Sequence, residues 1–417
     1  MKRKMLLVVA GLCAAQIVFA CTSAVVSGRV TKDGRPLLWK QRDTGNLQNK
    51  LVYSKGGTYV FVGVHDLADS ANQECFMGSN EAGFSIINTA SYNLQYERYR
   101  GKMDEEGILM RQALGTCRTL EDFERLLLET RGKRGVEANF GVVDANGGAA
   151  YYETDPYAFV KYDANDPAVA PQGYIIRTNF SMSGTPEDGQ GYIRYQSTQN
   201  LFQWASLGEG ISVDFILLEG TTNLRHGLVG TDLTKGQLPF DEDSRTMVNF
   251  TDFVPRYSTA ASMIVQGVRK GEDPSATTVW TVLGSPLTTP VIPVWVKYAD
   301  QIPAMMFASG QVPAPLNEHA LELKGRCFPL KTSEGRNYLD LSKILNQQGA
   351  GTVQRVHAAH RKVLQAARAL VLEKGSEVRA REVAALYGQV QKIVREYYAA
   401  YGLWPDESPG GAHSAPR

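Results

Sequence analysis

The sequence predicts an α+β protein, on three observations. Short β-branched and aromatic runs bounded by Gly or Asp fill the region from Cys21 to Thr89, two more such runs flank Asn146-Gly147 after a helical interruption, and from Val353 onward the apolar residues recur at helical spacing.

The elements follow in order. T-S-A-V-V-S-G from Thr22, the turn Lys32-Asp33-Gly34 and P-L-L-W-K-Q from Pro36 read as paired strands, followed by T-Y-V-F-V-G-V from Thr58 and G-F-S-I-I-N-T from Gly83. Helix-forming residues run from Gly107 to Gly115. Thr119 with Asp122 makes a capping-box start for a helix from Leu120 to Arg131, with Phe123, Leu126 and Leu127 on one face. A-N-F-G-V-V-D and G-A-A-Y-Y-E-T form a hairpin around Asn146-Gly147, and G-Y-I-I-R-T-N-F gives another strand. The stretch from Trp280 to Val296 carries too much Pro for a helix or a central strand throughout. Val353, Val356, His360, Val363, Ala367 and Leu370, then Val383, Leu386, Val390, Ile393 and Tyr397 beyond a break at Gly375, predict a C-terminal helical hairpin packed on the main domain.

With 417 residues, 43% hydrophobic and 21% charged, the chain has the composition of a folded protein. No run of Lys and Arg interleaved with aromatics appears, which excludes the electrostatic footprint of a nucleic-acid binder and favours a small-molecule or peptide partner. Residues 1–20 have the layout of a secretory signal: Lys2-Arg3-Lys4, an apolar stretch too short for a retained membrane helix, and V-F-A before a cut after Ala20. The expected organisation is therefore a leader over 1–20, a main domain over 21–335, a helical extension over 336–404 and a disordered tail, rich in Pro, Gly and Ser, over 405–417. The expected location is periplasmic or extracellular. Of the five Cys, Cys13 leaves with the leader. If Cys21 stays free, at most one disulfide forms among Cys75, Cys117 and Cys327, and three buried unpaired thiols is the equal alternative. Their spacing matches no zinc pattern, and nucleophilic catalysis by a thiol requires no metal or organic cofactor.

Cleavage after Ala20 would place a thiol and an α-amine on one residue, Cys21. Such an amine has a pKa of about 7.7–8.0 and can take the thiol proton directly or through water, so the nucleophile needs no histidine. Against this stands a weak lipobox in V-F-A-C, in which Cys21 is lipid-anchored and the chain is a surface binding protein. Phe19 and Val18 fit that pattern poorly, and a strand-like T-S-A-V-V follows Cys21 where a polar tether is usual.

C-T-S-A-V-V at Cys21, D-G-R-P-L-L-W-K-Q-R-D after it, S-N-E-A-G-F-S-I-I-N-T-A from Ser79, A-N-F-G-V-V-D from Ala138, I-I-R-T-N-F from Ile175 and V-P-R-Y-S-T-A from Val254 occur in one order. In these motifs the chain resembles the cysteine N-terminal-nucleophile hydrolases, which include choloylglycine hydrolases, penicillin V acylase and acyl-coenzyme A:6-aminopenicillanate acyltransferases, and it resembles the acyltransferase-like branch most. The resemblance covers Cys21 to Val296 and implies a four-layer αββα sandwich of two antiparallel sheets between helices. It implies cleavage of a linear amide by Cys21, with the residue's own amine as general base. Asp43 falls where the family's Asp binds that amine, and Lys40 falls where choloylglycine hydrolases carry an Arg beside the thiol. Arg42 is the alternative source of a guanidinium fork, although strand alternation sends it to the face opposite Asp43. Asn88 falls at the oxyanion-hole Asn, Asn179 at a second Asn that contacts the reacting amide, and Arg256 at a late Arg near the nucleophile. The implied substrate is a small N-acyl amide or short peptide-like molecule. Hydrolase or acyltransferase, and monomer or homo-oligomer, stay open. Each of these residues also has a plain structural role to fill: Asp43 as a strand-end turn residue, Asn88 and Asn179 as caps for backbone groups, Arg256 as a surface ion pair.

Overall fold

Strand pairing begins immediately after Cys21. The structure, a computed structural model, describes residues 20–94 and 98–404; the expected leader, Ala20 excepted, and the expected tail 405–417 lie outside the described residues. β1 (Thr22–Val26) and β2 (Leu37–Asp43) pair antiparallel, and Gly34 between them has a φ of +75° that a side chain would strain. β3 (Asn49–Ser54), β4 (Phe61–Asp66), β5 (Met77–Asn80) and β6 (Ser85–Ala90) follow. Then come α1 (Glu106–Thr116) and α2 (Leu120–Glu129), and after them β7 (Ala138–Val143), β8 (Ala149–Thr154) and β9 (Phe159–Asp163). β3 to β9 form a seven-stranded antiparallel sheet in which each strand pairs with the next.

The second sheet is assembled from distant segments. β10 (Tyr174–Arg177) precedes α3 (Tyr192–Leu207) and the short β11 (Met247–Asn249). β12 (Thr259–Gln266), β13 (Thr278–Leu283) and β14 (Ile292–Val294) then complete six strands in the order β10-β1-β2-β12-β13-β14. β14, with Pro293, sits at the edge, where a residue without an N–H is tolerated. The two sheets lie face to face. A Cβ on Gly141 of β7 would come within 3.0 Å of Val25 and 3.1 Å of Leu38, so the bare glycine permits the approach. α1 and α2 cover the other face of the seven-stranded sheet through Leu109, Leu114, Phe123 and Leu127. On the other face of the six-stranded sheet, Trp39 stacks on Phe202 of α3 with ring centroids 5.9 Å apart.

The C-terminal region shares this core. α4 (Pro315–Cys327) packs on β13, and β15 (Tyr338–Asp340) pairs with β11. α5 (Thr352–Arg368) and α6 (Ala380–Ala399) pack on each other and bury Val356, Val363, Val383 and Val390 against the main core. The capping box at Thr119 and Asp122 forms as expected. The chain breaks at Gly375, with a φ of +49°. Two details differ from the sequence reading. The strand expected from Thr58 starts only at Phe61, because the Tyr59 N–H donates to the Gly115 carbonyl at 3.1 Å and the Val60 N–H to the Glu81 carboxylate at 3.0 Å rather than to β3. Val394 rather than Ile393 takes the fully buried place on α6.

Candidate active site

Strand alternation decides what surrounds Cys21. Ser23 of β1 turns between the sheets, where its hydroxyl lies 2.7 Å from the Tyr151 hydroxyl of β8; Lys40, its register partner on β2, faces the same way. Cys21, two residues before Ser23, is buried, with Sγ 3.8 Å from the carbonyl oxygen of Asp43. Three hydrogen-bonded groups converge on it.

The first is Lys40 with Asn88. The Lys40 ammonium, 1% exposed, donates to the Phe76 carbonyl at 2.8 Å and to Asn88 Oδ1 at 2.6 Å. Burial pushes its pKa down to about 8, and the neighbouring Cys21 partly opposes that shift. An ammonium only donates, so its contact fixes the Asn88 amide with the oxygen toward Lys40 and Nδ2 as the donor end on the other side of the amide. Arg42 does not supply a fork to the thiol. Its guanidinium is held by Asn49 Oδ1 at 2.6 Å and Asp66 at 2.9 Å and lies over the Phe76 ring, because β3 and β4 bring those partners to the Arg42 side of the strand.

The second is Asp43 with Arg256. The Asp43 carboxylate has no exposed surface. It receives Arg256 Nε at 3.1 Å and Nη2 at 2.5 Å on one oxygen and the Thr259 hydroxyl at 2.5 Å on the other. The same Nη2 donates to the Ala20 carbonyl at 2.9 Å. One guanidinium nitrogen therefore touches both Asp43 and the carbonyl of the Ala20–Cys21 peptide, which puts the carboxylate at the bond whose cleavage would free the Cys21 amine.

The third is Asn179 with Arg194. Asn179 is fully buried; its Nδ2 donates to the Ala90 carbonyl at 2.8 Å and its oxygen accepts from Arg194 Nη2 at 2.8 Å. Arg194 on α3, 1% exposed, also donates from Nη1 to the Cys21 carbonyl and, at 2.9 Å, to the Thr22 hydroxyl. Burial lowers its pKa to about 9, reinforced by the nearby Arg256 and opposed by Asp43 and Cys21.

The sequence reading named Cys21, Lys40, Asp43, Asn88, Asn179 and Arg256, and all six lie in this constellation. It missed Arg194, Thr259 and Tyr92, whose phenol is pushed upward by burial and by the adjacent Cys21. Thr259 stands inside the V-P-R-Y-S-T-A motif. Arg194 gave no sequence signal: it shares the buried face of α3 with Ser197, Thr198, Leu201 and Phe202, where a charge needs partners, and that face is visible only once the helix is placed. Asn80 proves structural, since its Nδ2 donates to the carbonyls of Leu114 and Cys117. Cys21, Cys75, Cys117 and Cys327 are all free and buried, so the unpaired alternative holds among the described residues.

No family model matches the chain, and no curated protein matches it. Solved structures do. A Caenorhabditis elegans N-acylethanolamine-hydrolyzing acid amidase ortholog is 16% identical, with 49% of this chain and 88% of that chain covered and a TM-score of 0.36. A variant of conjugated bile acid hydrolase from Clostridium perfringens is 11% identical over 66% of this chain and 92% of that one, with a TM-score of 0.35. Penicillin V acylase from Agrobacterium tumefaciens is 12% identical over 66% and 86%, with a TM-score of 0.34. Likenesses of this extent carry no argument about chemistry.

Proposed function

We propose that the chain is an exported N-terminal-nucleophile amidohydrolase with a four-layer αββα core and an added C-terminal helical hairpin, acting on a small linear N-acyl amide. Removal of residues 1–20 frees the Cys21 amine beside Asp43. That amine takes the thiol proton while sulfur attacks the substrate carbonyl carbon. Negative charge then develops on the carbonyl oxygen, where the Asn88 Nδ2–H is available as donor; a preorganised donor of this kind is worth about 3 kcal/mol of barrier. Collapse breaks the C–N bond, and the ammonium hands its proton to the leaving nitrogen. Water attacks the resulting thioester, gives its proton to the amine, and the acid departs as the thiol is restored.

The observation that carries the proposal is the setting of Cys21, with buried Lys40 and Arg194 and half-buried Arg256 gathered round it, and with Asp43 held by Arg256. An anion forming on sulfur or on the substrate oxygen meets fixed positive charge in a site removed from water. The same burial weighs against a lipid on Cys21, since the residue leads straight into the buried strand β1.

Intact mass and amino-terminal mapping of protein recovered from the exporting cell test this. The expected chain begins at unmodified Cys21. A lipid-modified Cys21, or a chain retaining Ala20, overturns the mechanism. Product analysis with an added amine separates hydrolysis from acyl transfer.

A further inference from the structure

Thr259 is the hub of the Asp43–Arg256 group. Its hydroxyl donates to Asp43 and accepts the Arg256 N–H at 2.8 Å, and its own N–H donates to the Arg256 carbonyl at 3.1 Å. The register of β12 against β2 shifts between Thr259 and Ala261, so this residue sits at a bulge, where a carbonyl leaves the ladder and needs another donor. The donor comes from far along the chain. Lys324 on α4, 2% exposed, places Nζ 2.9 Å from the Thr259 carbonyl and 5.1 Å from the centre of the Tyr257 ring.

α4 is itself firmly seated. The Thr288 hydroxyl donates to the Ala320 carbonyl at 3.0 Å, and Asn317 accepts the N–H of Asn49, the residue that also holds Arg42. Gly284, with a φ of +125°, leaves room for Ala320, whose Cβ would lie 2.4 Å from any Cβ placed there. A buried ammonium is costly unless it is paired. Burial lowers the Lys324 pKa to about 7, against the upward pull of the nearby Asp43.

We propose that Lys324 is a positioning residue that pins the Arg256–Thr259 turn from behind, so that guanidinium and hydroxyl hold the Asp43 carboxylate in place beside Cys21. Helix α4, beyond the region covered by the family motifs, is then part of the machinery. The inference rests on the reading of Cys21 as nucleophile and of Asp43 as partner of its amine.

The test compares chains beginning at Cys21 as wild type, K324M and K324R. The first readout is the rate of Cys21 alkylation by iodoacetamide, located by peptide mapping, which needs no substrate. The second is kcat and KM on an N-acyl amide. In K324M both alkylation and kcat are expected to fall about tenfold to a hundredfold, the penalty of a misplaced group, with KM held within about twofold. K324R, which keeps charge and donor, is expected to recover most of the loss. Wild-type rates in K324M overturn the proposal, as does a K324R as slow as K324M, which would mark plain packing. Should K324M not fold, K324Q decides on the same scale. A wild-type chain that alkylates at Cys21 yet cleaves no amide sinks the amidase proposal and leaves alkylation to judge Lys324.

Discussion

Replacing Asp43 by Asn while independently replacing Arg256 by Met isolates the ion pair that the structure puts beside Cys21. The Asp43 side chain is wholly buried and the Arg256 side chain is 20% exposed, with contacts of 2.5 and 3.1 Å between them. Breaking a fully buried pair costs about 3–5 kcal/mol, mostly because the survivor is left uncompensated. In D43N the survivor is Arg256, which regains some hydration through its exposed part, and Asn keeps an acceptor for Thr259; about 2 kcal/mol is expected. In R256M the survivor is a carboxylate with no exposed surface, and the loss should reach about 3–4 kcal/mol. The double variant buries neither charge unpaired and should lose about 2 kcal/mol less than the sum of the singles. Urea unfolding followed by tryptophan fluorescence measures all four proteins. Additivity within about 0.5 kcal/mol would refute a coupled pair.

Three further outcomes follow from the same geometry. Lys40→Met removes the donor that orients Asn88, and kcat should fall about a hundredfold with little change in KM, as expected when an interaction made only in the transition state is lost; an unchanged kcat would remove Asn88 from the oxyanion site. Arg194→Lys cannot reach Cys21, Thr22 and Asn179 together, so a planar fork is required there and the variant should show a lower urea midpoint than wild type; equal midpoints would count against that role. Burial lowers the pKa values of His65 and His357 to about 4 and of His360 to about 3. Between those values and the ordinary 6.5 the unfolded chain binds protons that the folded chain does not. Stability should therefore be full above about pH 6.5 and be lost as the pH falls toward 4, with a smaller loss in His360→Leu. A urea midpoint that stays level between pH 7 and pH 4.5 would contradict this.

How much could be read from the sequence depended on where each residue finds its partners. α2 was legible because Thr119 and Asp122 cap it locally, and β1, β2, β6, β7 and β8 because their apolar runs are bounded by Gly or Asp. β5 was not, since Met-Gly-Ser-Asn has low strand propensity and is held by the ladders on either side. α3 escaped because it buries Arg194, Ser197 and Thr198 and exposes Trp204 and Leu207, which inverts the usual pattern. In the site, Asp43, Asn88 and Arg256 stood in motifs, whereas Arg194 and Lys324 are defined by partners 173 and 65 residues away. Arg42 lay on the face that alternation assigned it, but its partners Asn49 and Asp66 come from strands whose packing no local pattern reveals.

The destination of the acyl group tests Cys21 as nucleophile most directly. Mature protein mixed with an N-acyl amide, quenched in acid before turnover is complete and mapped by mass spectrometry, should carry the acyl group as a thioester on the peptide that begins with Cys21, and Cys21→Ser should fold normally and lose most of the activity. Turnover with no acyl group on Cys21, or full activity in Cys21→Ser, would contradict it.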